Sequence, residues 1–280
     1  MQTQTKLEFG NLTEFRTAIS QLDTAVERPV YAYENSKIRK IDDFKAIYNA
    51  DKKIYVSVPG KNYTLMQHQT AFETFVPAAE AFGKKLTGWI SQSNDGGRAR
   101  VSVFFPDLKI VPFDGHEISI GFTAINSYDG SSSLKGQVFG YRSFCKNGMI
   151  FGKQLQFAVT KMHKGEMTAA IFENLIQHSI ETIPALKEAI EGASIEYLPS
   201  APEELQKLLV TQYRYGKRQA KKIISEHMIE TDNGKVSRWN LYNAVTHWVS
   251  HSRQSMDTQT YQLEKAEKIL IHIASMRNGK

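Results

Sequence analysis

His247 and His251 stand four residues apart, Cys145 is the chain's single thiol, and Asp129 shares a polar run with Asn126, Ser131, Ser132 and Ser133. These are the side chains that metal, nucleophilic and acid–base chemistry employs. Histidines at i and i+4 share one helical face, which suits a metal. The segment His247-Trp-Val-Ser-His251 nevertheless lacks the glutamate of a zinc-protease motif. Both histidines then read as the polar edge of a helix that turns Trp239, Leu241, Val245 and Trp248 inward. Cys145 has Arg142 and Lys146 beside it to favour a thiolate. Its base would have to come from His116, His163, His247 or His251 through folding. Otherwise it is a small buried residue at a strand end. Asp129 has no second carboxylate at a metal-ligand spacing. Asn126, Ser131 and Ser132 can contact a phosphate, and they equally satisfy the backbone of a tight turn. No catalytic residue, metal ligand or cofactor is assigned.

The other chemistry on offer is charge combined with aromatic rings. The 280-residue chain carries a net charge of +6. Residues 84–164 hold eleven basic side chains against five acidic ones. Lys84, Lys85, Arg98, Arg100, Lys135, Tyr141, Arg142, Lys146, Lys153 and Lys161 form the candidate nucleic-acid-binding set, with Trp89, Tyr128 and Phe139 as further rings. Cations that track phosphates and rings that stack on bases are what single-stranded nucleic acid requires. Gly130, Gly136 and Gly140 would allow close backbone approach. The bland alternative is a core of aromatics beneath a solvated lysine face. A second basic cluster follows in Arg214, Lys217, Arg218, Lys221 and Lys222.

Strands must position the first set. Residues 86–92 and 98–105 flank Asn94-Asp95-Gly96-Gly97, a hairpin signal. Arg98, Arg100 and Ser102 alternate with Ala99, Val101 and Val103, so one strand face is basic and the other apolar. Pro106 is expected to end that strand. Residues 116–126 alternate again, Asp129-Gly130 turns the chain, and 134–144 runs back. Asn147-Gly148 makes another turn before a last extended stretch, 149–160. Tight turns impose antiparallel neighbours.

Helices surround this meander. The spacing predicts helices over 12–22, capped by Asn11, over 41–48 and over 70–82, the last disturbed by Pro77 and ended by Gly83. Short extended pieces are expected at 29–33, 53–58 and 63–67. Residues 168–191 form a covering helix that Pro184 kinks or splits. Helices then start after Ser200, after Gly216, at Ser237 and at Asp257. The fold class is α+β: a twisted antiparallel β-meander covered on one face by helices, then an all-helical C-terminal part. The expected division is 1–191 for the sheet body and 192–280 for the helical region.

Composition sets the class. With 41% apolar and 23% charged residues the chain is an ordinary globular one. One cysteine excludes an internal disulfide and fits a reducing, cytoplasmic setting. Neither a signal-peptide pattern nor a membrane-length apolar run is visible.

Two segments taken together carry a resemblance. One is Asn126-Ser-Tyr-Asp-Gly-Ser-Ser-Ser-Leu followed by Arg142-Ser-Phe-Cys-Lys-Asn-Gly-Met. The other is Arg238-Trp-Asn-Leu-Tyr-Asn-Ala-Val-Thr-His-Trp, with His251 beyond it. The pairing, over roughly residues 63–251, resembles a large family of phage- and plasmid-encoded proteins catalogued as a domain of unknown function. Tyr128 stands where that family usually has histidine, so a role for that histidine does not transfer. At fold level the meander is also similar to the core of phage single-strand annealing proteins, which form rings or filaments. These likenesses imply a mobile-element protein that binds single-stranded DNA in replication or recombination, as a homo-oligomer, in a bacterial or archaeal cytoplasm. The alternatives are a nuclease or other hydrolase built on Asp129, Cys145 and the histidines, and an inhibitor of a host defence protein.

Overall fold

The computed structural model describes residues 5–83, 85–112, 114–130, 134–143, 146–151, 158–161, 169–228, 230–231, 233–252 and 254–271. Their order is β1 (Thr5–Phe9), α1 (Leu12–Ser20), β2 (Ala25–Glu34), β3 (Lys37–Asn49), β4 (Ile54–Ser57), α2 (His68–Glu73) and α3 (Phe75–Phe82). Next come β5 (Thr87–Gln92), β6 (Arg98–Ile110), β7 (Ile118–Ser127), β8 (Leu134–Arg142), β9 (Asn147–Phe151) and β10 (Ala158–Lys161). The chain continues through α4 (Ala169–Ile195), β11 (Tyr197–Leu198), α5 (Pro202–Thr211), α6 (Lys217–Glu226), β12 (Val236–Ser237), α7 (Arg238–His251) and α8 (Met256–Leu270). The fold is α+β with antiparallel sheets and a helical C-terminal part, as the alternation and the caps imply. No helix among the described residues is long and apolar enough to cross a membrane.

The large sheet has the order β1-β5-β6-β7-β8-β10, with β9 also paired to β8. β10 takes residues 134–137 of β8, and β9 takes 138–142. Contacts gather the chain into two compact units. The first is Met1–Asp107, Gly121–Gln137 and Ala158–Gln177; the second is Leu108–Ile120, Val138–Phe157 and His178–Lys280.

The first unit packs Phe9 against Phe15 and stacks Phe75 on Phe122, each at 4.7 Å between centroids. Asn11 caps α1 by accepting from Glu14 N–H at 2.9 Å, and Glu14 accepts from Gly10 N–H at 2.7 Å. Gly121 lies so close to β6 that a Cβ would meet the Val103 carbonyl oxygen at 2.0 Å. In the second unit α7 is buried along most of its length, and β9 packs on α7 and α8. Tyr215 meets Trp248 edge-on at 6.2 Å. Ser237 caps α7 through Asn240 N–H, as its sequence signature predicts.

Several expectations are corrected. Residues 41–48 form no helix; they belong to β3. The β2–β3 register jumps between Pro29↔Lys45 and Val30↔Ile41, leaving Asp42, Asp43 and Phe44 as a bulge. A bulge resets the period-2 pattern, so Ile41, Phe44, Ile47 and Tyr48 mimic helical spacing. Residues 63–67 are not a strand. Residues 70–82 are two helices, and Pro77 sits in the first turn of the second, where its missing N–H costs nothing. β6 runs past Pro106, and α4 continues through Pro184. Asn147-Gly148 already lies in β9; the left-handed residue of that turn is Lys146, with φ 52°. β1 had no sequence signal of its own.

Candidate nucleic-acid interface

At the end of β7, within the first unit, Asn126, Ser127 and Tyr128 are buried. Asn126 is fully buried, and its amide NH2 donates to Met66 O at 3.0 Å and to His68 Nδ1 at 2.8 Å. His68 Nε2 reaches the Gly96 carbonyl at 3.0 Å. An amide NH2 only donates and a carbonyl only accepts, so the His68 proton sits on Nε2. The Tyr128 ring stacks on His68 at 3.8 Å and 15°. Its hydroxyl accepts from His68 N–H at 3.0 Å and donates to Asp23 O at 2.9 Å. Burial pushes the phenol well above its ordinary pKa, so it stays neutral. Asp129 turns outward to Arg98, at 2.9 Å to Nε and 2.7 Å to Nη2. Asn126 therefore holds a histidine rather than a phosphate, and Asp129 holds an arginine rather than an acid–base partner. Ser131, Ser132 and Cys145 lie outside the described residues.

Arg142 is likewise committed, within the second unit. Its side chain is fully buried, with Nη1 at 2.7 Å from Glu230 and Nη2 at 2.8 Å from Asp114. Trp239 Nε1 donates to the same Asp114 oxygen at 2.8 Å and lies 5.8 Å beneath the guanidinium. An arginine enclosed by two carboxylates is a structural tie. It cannot reach a ligand phosphate, which corrects its place in the predicted set.

The rest of that set differs in exposure. Arg100 is half-buried, and burial lowers its guanidinium to about 10. Tyr141 is half-buried, whereas Lys85 and Lys146 are exposed. Residues of both parities are buried along β7, including Thr123, Asn126 and Ser127, and Gln137 is buried on β8. Lys84 and Lys153 lie outside the described residues. In the β8–β10 register Lys135 pairs with Thr160 and Lys161 with Leu134, and the side chains of both lysines are outside the description.

The two predicted histidines gain a third, His227, from the C-cap of α6. His227 Nδ1 lies 2.8 Å from His247 Nδ1, and His251 stacks on His247 at 4.1 Å. Burial and the neighbouring imidazoles lower His247 to about 4, so the pair shares hydrogens as neutral rings. Among the described residues no group of three or more His, Cys, Asp or Glu side chains has metal-holding geometry.

The exposed, ring-bearing surface is elsewhere in the first unit, on the ribbon of β2 and β3. Its tip is the two-residue turn Asn35-Ser36, with φ of 47° and 61°. Positive φ at both central residues is what a type I′ hairpin turn needs. Tyr31 pairs with Lys40 and Tyr33 with Ile38, which sets all four on one face. Tyr31 is 57%, Tyr33 73% and Ile38 75% exposed. The opposite face carries Lys37 and Arg39, which have no ion-pair partner among the described residues. Lys40 pairs with Asp42 at 2.9 Å. Nearer the base, Arg28 lies 3.4 Å over the Tyr48 ring. Sequence reasoning missed this ribbon because its second strand looked helical. The signals available were the alternation of Tyr31 and Tyr33 and the Asn-Ser turn.

No curated protein and no solved structure matches the chain. A family model does match, over residues 55–270, which starts after the ribbon and takes in α6, the Asn126–Gly130 run and α7. The paired motifs that suggested a phage- and plasmid-type family are thus part of the matched segment, and the chain belongs to the family described as Domain of unknown function (DUF932).

Proposed function

We propose that the protein binds single-stranded nucleic acid, with the β2–β3 ribbon as its stacking platform. The observation that carries this reading is the exposure of Tyr31, Tyr33 and Ile38 on one face of a slender ribbon. Large apolar side chains clustered in solvent mark an interaction surface. Residues 28–40 hold four basic side chains against one acidic one, so the surface favours a polyanion. Rings stack on bases without regard to sequence, while Lys40 beside them and Lys37 and Arg39 at the back of the ribbon supply the positive charge that attracts phosphates. The biological setting in this reading is replication or recombination of a phage or plasmid, with several copies along one strand.

The test is anisotropy of a labelled oligothymidine over a salt series. Wild type binds at low salt, and affinity falls as salt rises. Tyr31→Ala with Tyr33→Ala weakens binding by roughly thirtyfold or more, from ~1–3 kcal/mol for each of two stacked bases. Undiminished binding by that variant, or no binding by wild type at low salt, would sink the reading.

A further inference from the structure

We infer that α6 is a second, separate site, which docks on the phosphates of double-stranded nucleic acid. It rests on the second unit alone and stands or falls independently of the ribbon.

The helix is sharply two-sided. Ala220, Ile223 and Ile224 are buried, while Lys217, Arg218, Lys221, Lys222 and Ser225 are exposed. At 3.6 residues per turn the four cations span an arc of about 140° over the first two turns. Arg214, exposed in the preceding loop, extends the patch. Lys217, Arg218 and Lys221 have no ion-pair partner among the described residues, and Lys222 reaches Glu226 only at 3.7 Å.

Stability does not account for this arrangement. Lys217–Lys221 and Arg218–Lys222 are like-charge pairs at i,i+4, which destabilise a helix. Cations near a helix N-terminus also oppose its macrodipole. Two other helices of the chain follow the favourable rule: α5 opens on Glu203 and Glu204, and α8 opens on Asp257 and ends on Lys268. In α6 the sign is reversed, at a cost that a bound polyanion would offset.

The shape selects the partner. α6 carries no aromatic side chain, so it has nothing to stack on an unpaired base. It contributes charge on a convex rod, and a helix of about 10–12 Å diameter fits the duplex major groove, about 12 Å wide. Its contacts are with phosphates, which carry affinity without reading sequence.

The experiment uses the full chain and two probes, a blunt DNA duplex and an oligothymidine, each titrated over a salt series. Replacing Lys217, Arg218, Lys221 and Lys222 together by Gln should lower duplex affinity at least tenfold. It should also flatten the slope of log K against log salt by about three to four, near 0.9 per lost phosphate contact. The melting temperature should hold or rise, since repulsion is removed. Lys217→Gln with Lys221→Gln, a milder variant, should lose about half the slope. Tyr31→Ala with Tyr33→Ala should leave duplex binding intact, which separates this site from the ribbon. Unchanged duplex affinity and slope in the quadruple variant would overturn the proposal. So would an equal loss on both probes, or binding to anionic phosphatidylserine vesicles with none to duplex.

Discussion

The guanidinium of Arg142 is enclosed by Asp114, Glu230 and Trp239. Breaking a buried pair leaves carboxylates without their counter-charge, which typically costs about 3–5 kcal/mol. Arg142→Met should therefore lower unfolding free energy by about that much, measured by urea denaturation. A loss under about 1 kcal/mol would mean that water already solvates the two carboxylates. The Arg98–Asp129 pair, made of the same groups, leaves 28% and 21% of its side chains exposed, so water screens it more than it does the fully buried Arg142. At this scale residue identity is legible in the sequence and burial is not. Asn126 and Tyr128 share His68 as a partner, which lies some sixty positions earlier, and nothing in the local pattern links it to them.

Elements were legible where their determinants are local. Asn11, Gly83, Gly216 and Ser237 mark helix ends to the residue, because a cap is made by a side chain or by φ within a few positions. The hairpin at Asn94–Gly97 was equally plain. β3 was not, because its bulge depends on the strand opposite. The ribbon tip offers a prediction at this scale. Ser36 holds φ 61°, a conformation that strains an L-residue but not glycine. Ser36→Gly should stabilise the ribbon by about 0.5–1 kcal/mol net of its unfolded-state entropy. Amide exchange across β2 and β3 should slow two- to fivefold. Faster exchange would show that Ser36 contributes something beyond its turn geometry.

At the scale of the molecule, chain order and compactness diverge. β6, β7 and β8 each begin in one unit and end in the other. The second unit draws residues 108–120 and 138–157 to the C-terminal helices, where Gly148 N–H donates to Ser250 at 3.0 Å and Glu230 meets Arg142. A composition shift near Gly192 is visible in sequence; the return of earlier strands to later helices is not, because such pairings are non-local. A fragment of residues 192–280 should consequently lack a cooperative thermal transition by circular dichroism. A sharp transition in that fragment would show that the tail needs none of these strands.

Pro29 gives the ribbon one more property. β2 is an outer strand of its three-stranded sheet, ten residues long and bearing exposed tyrosines. A strand of that kind invites another chain to add itself edge to edge. Proline offers no N–H to such a newcomer, and the adjoining bulge kinks the line it would follow. Edge-to-edge pairing is disfavoured at that point of the strand, while the exposed faces of Tyr31 and Tyr33 are left untouched by the block.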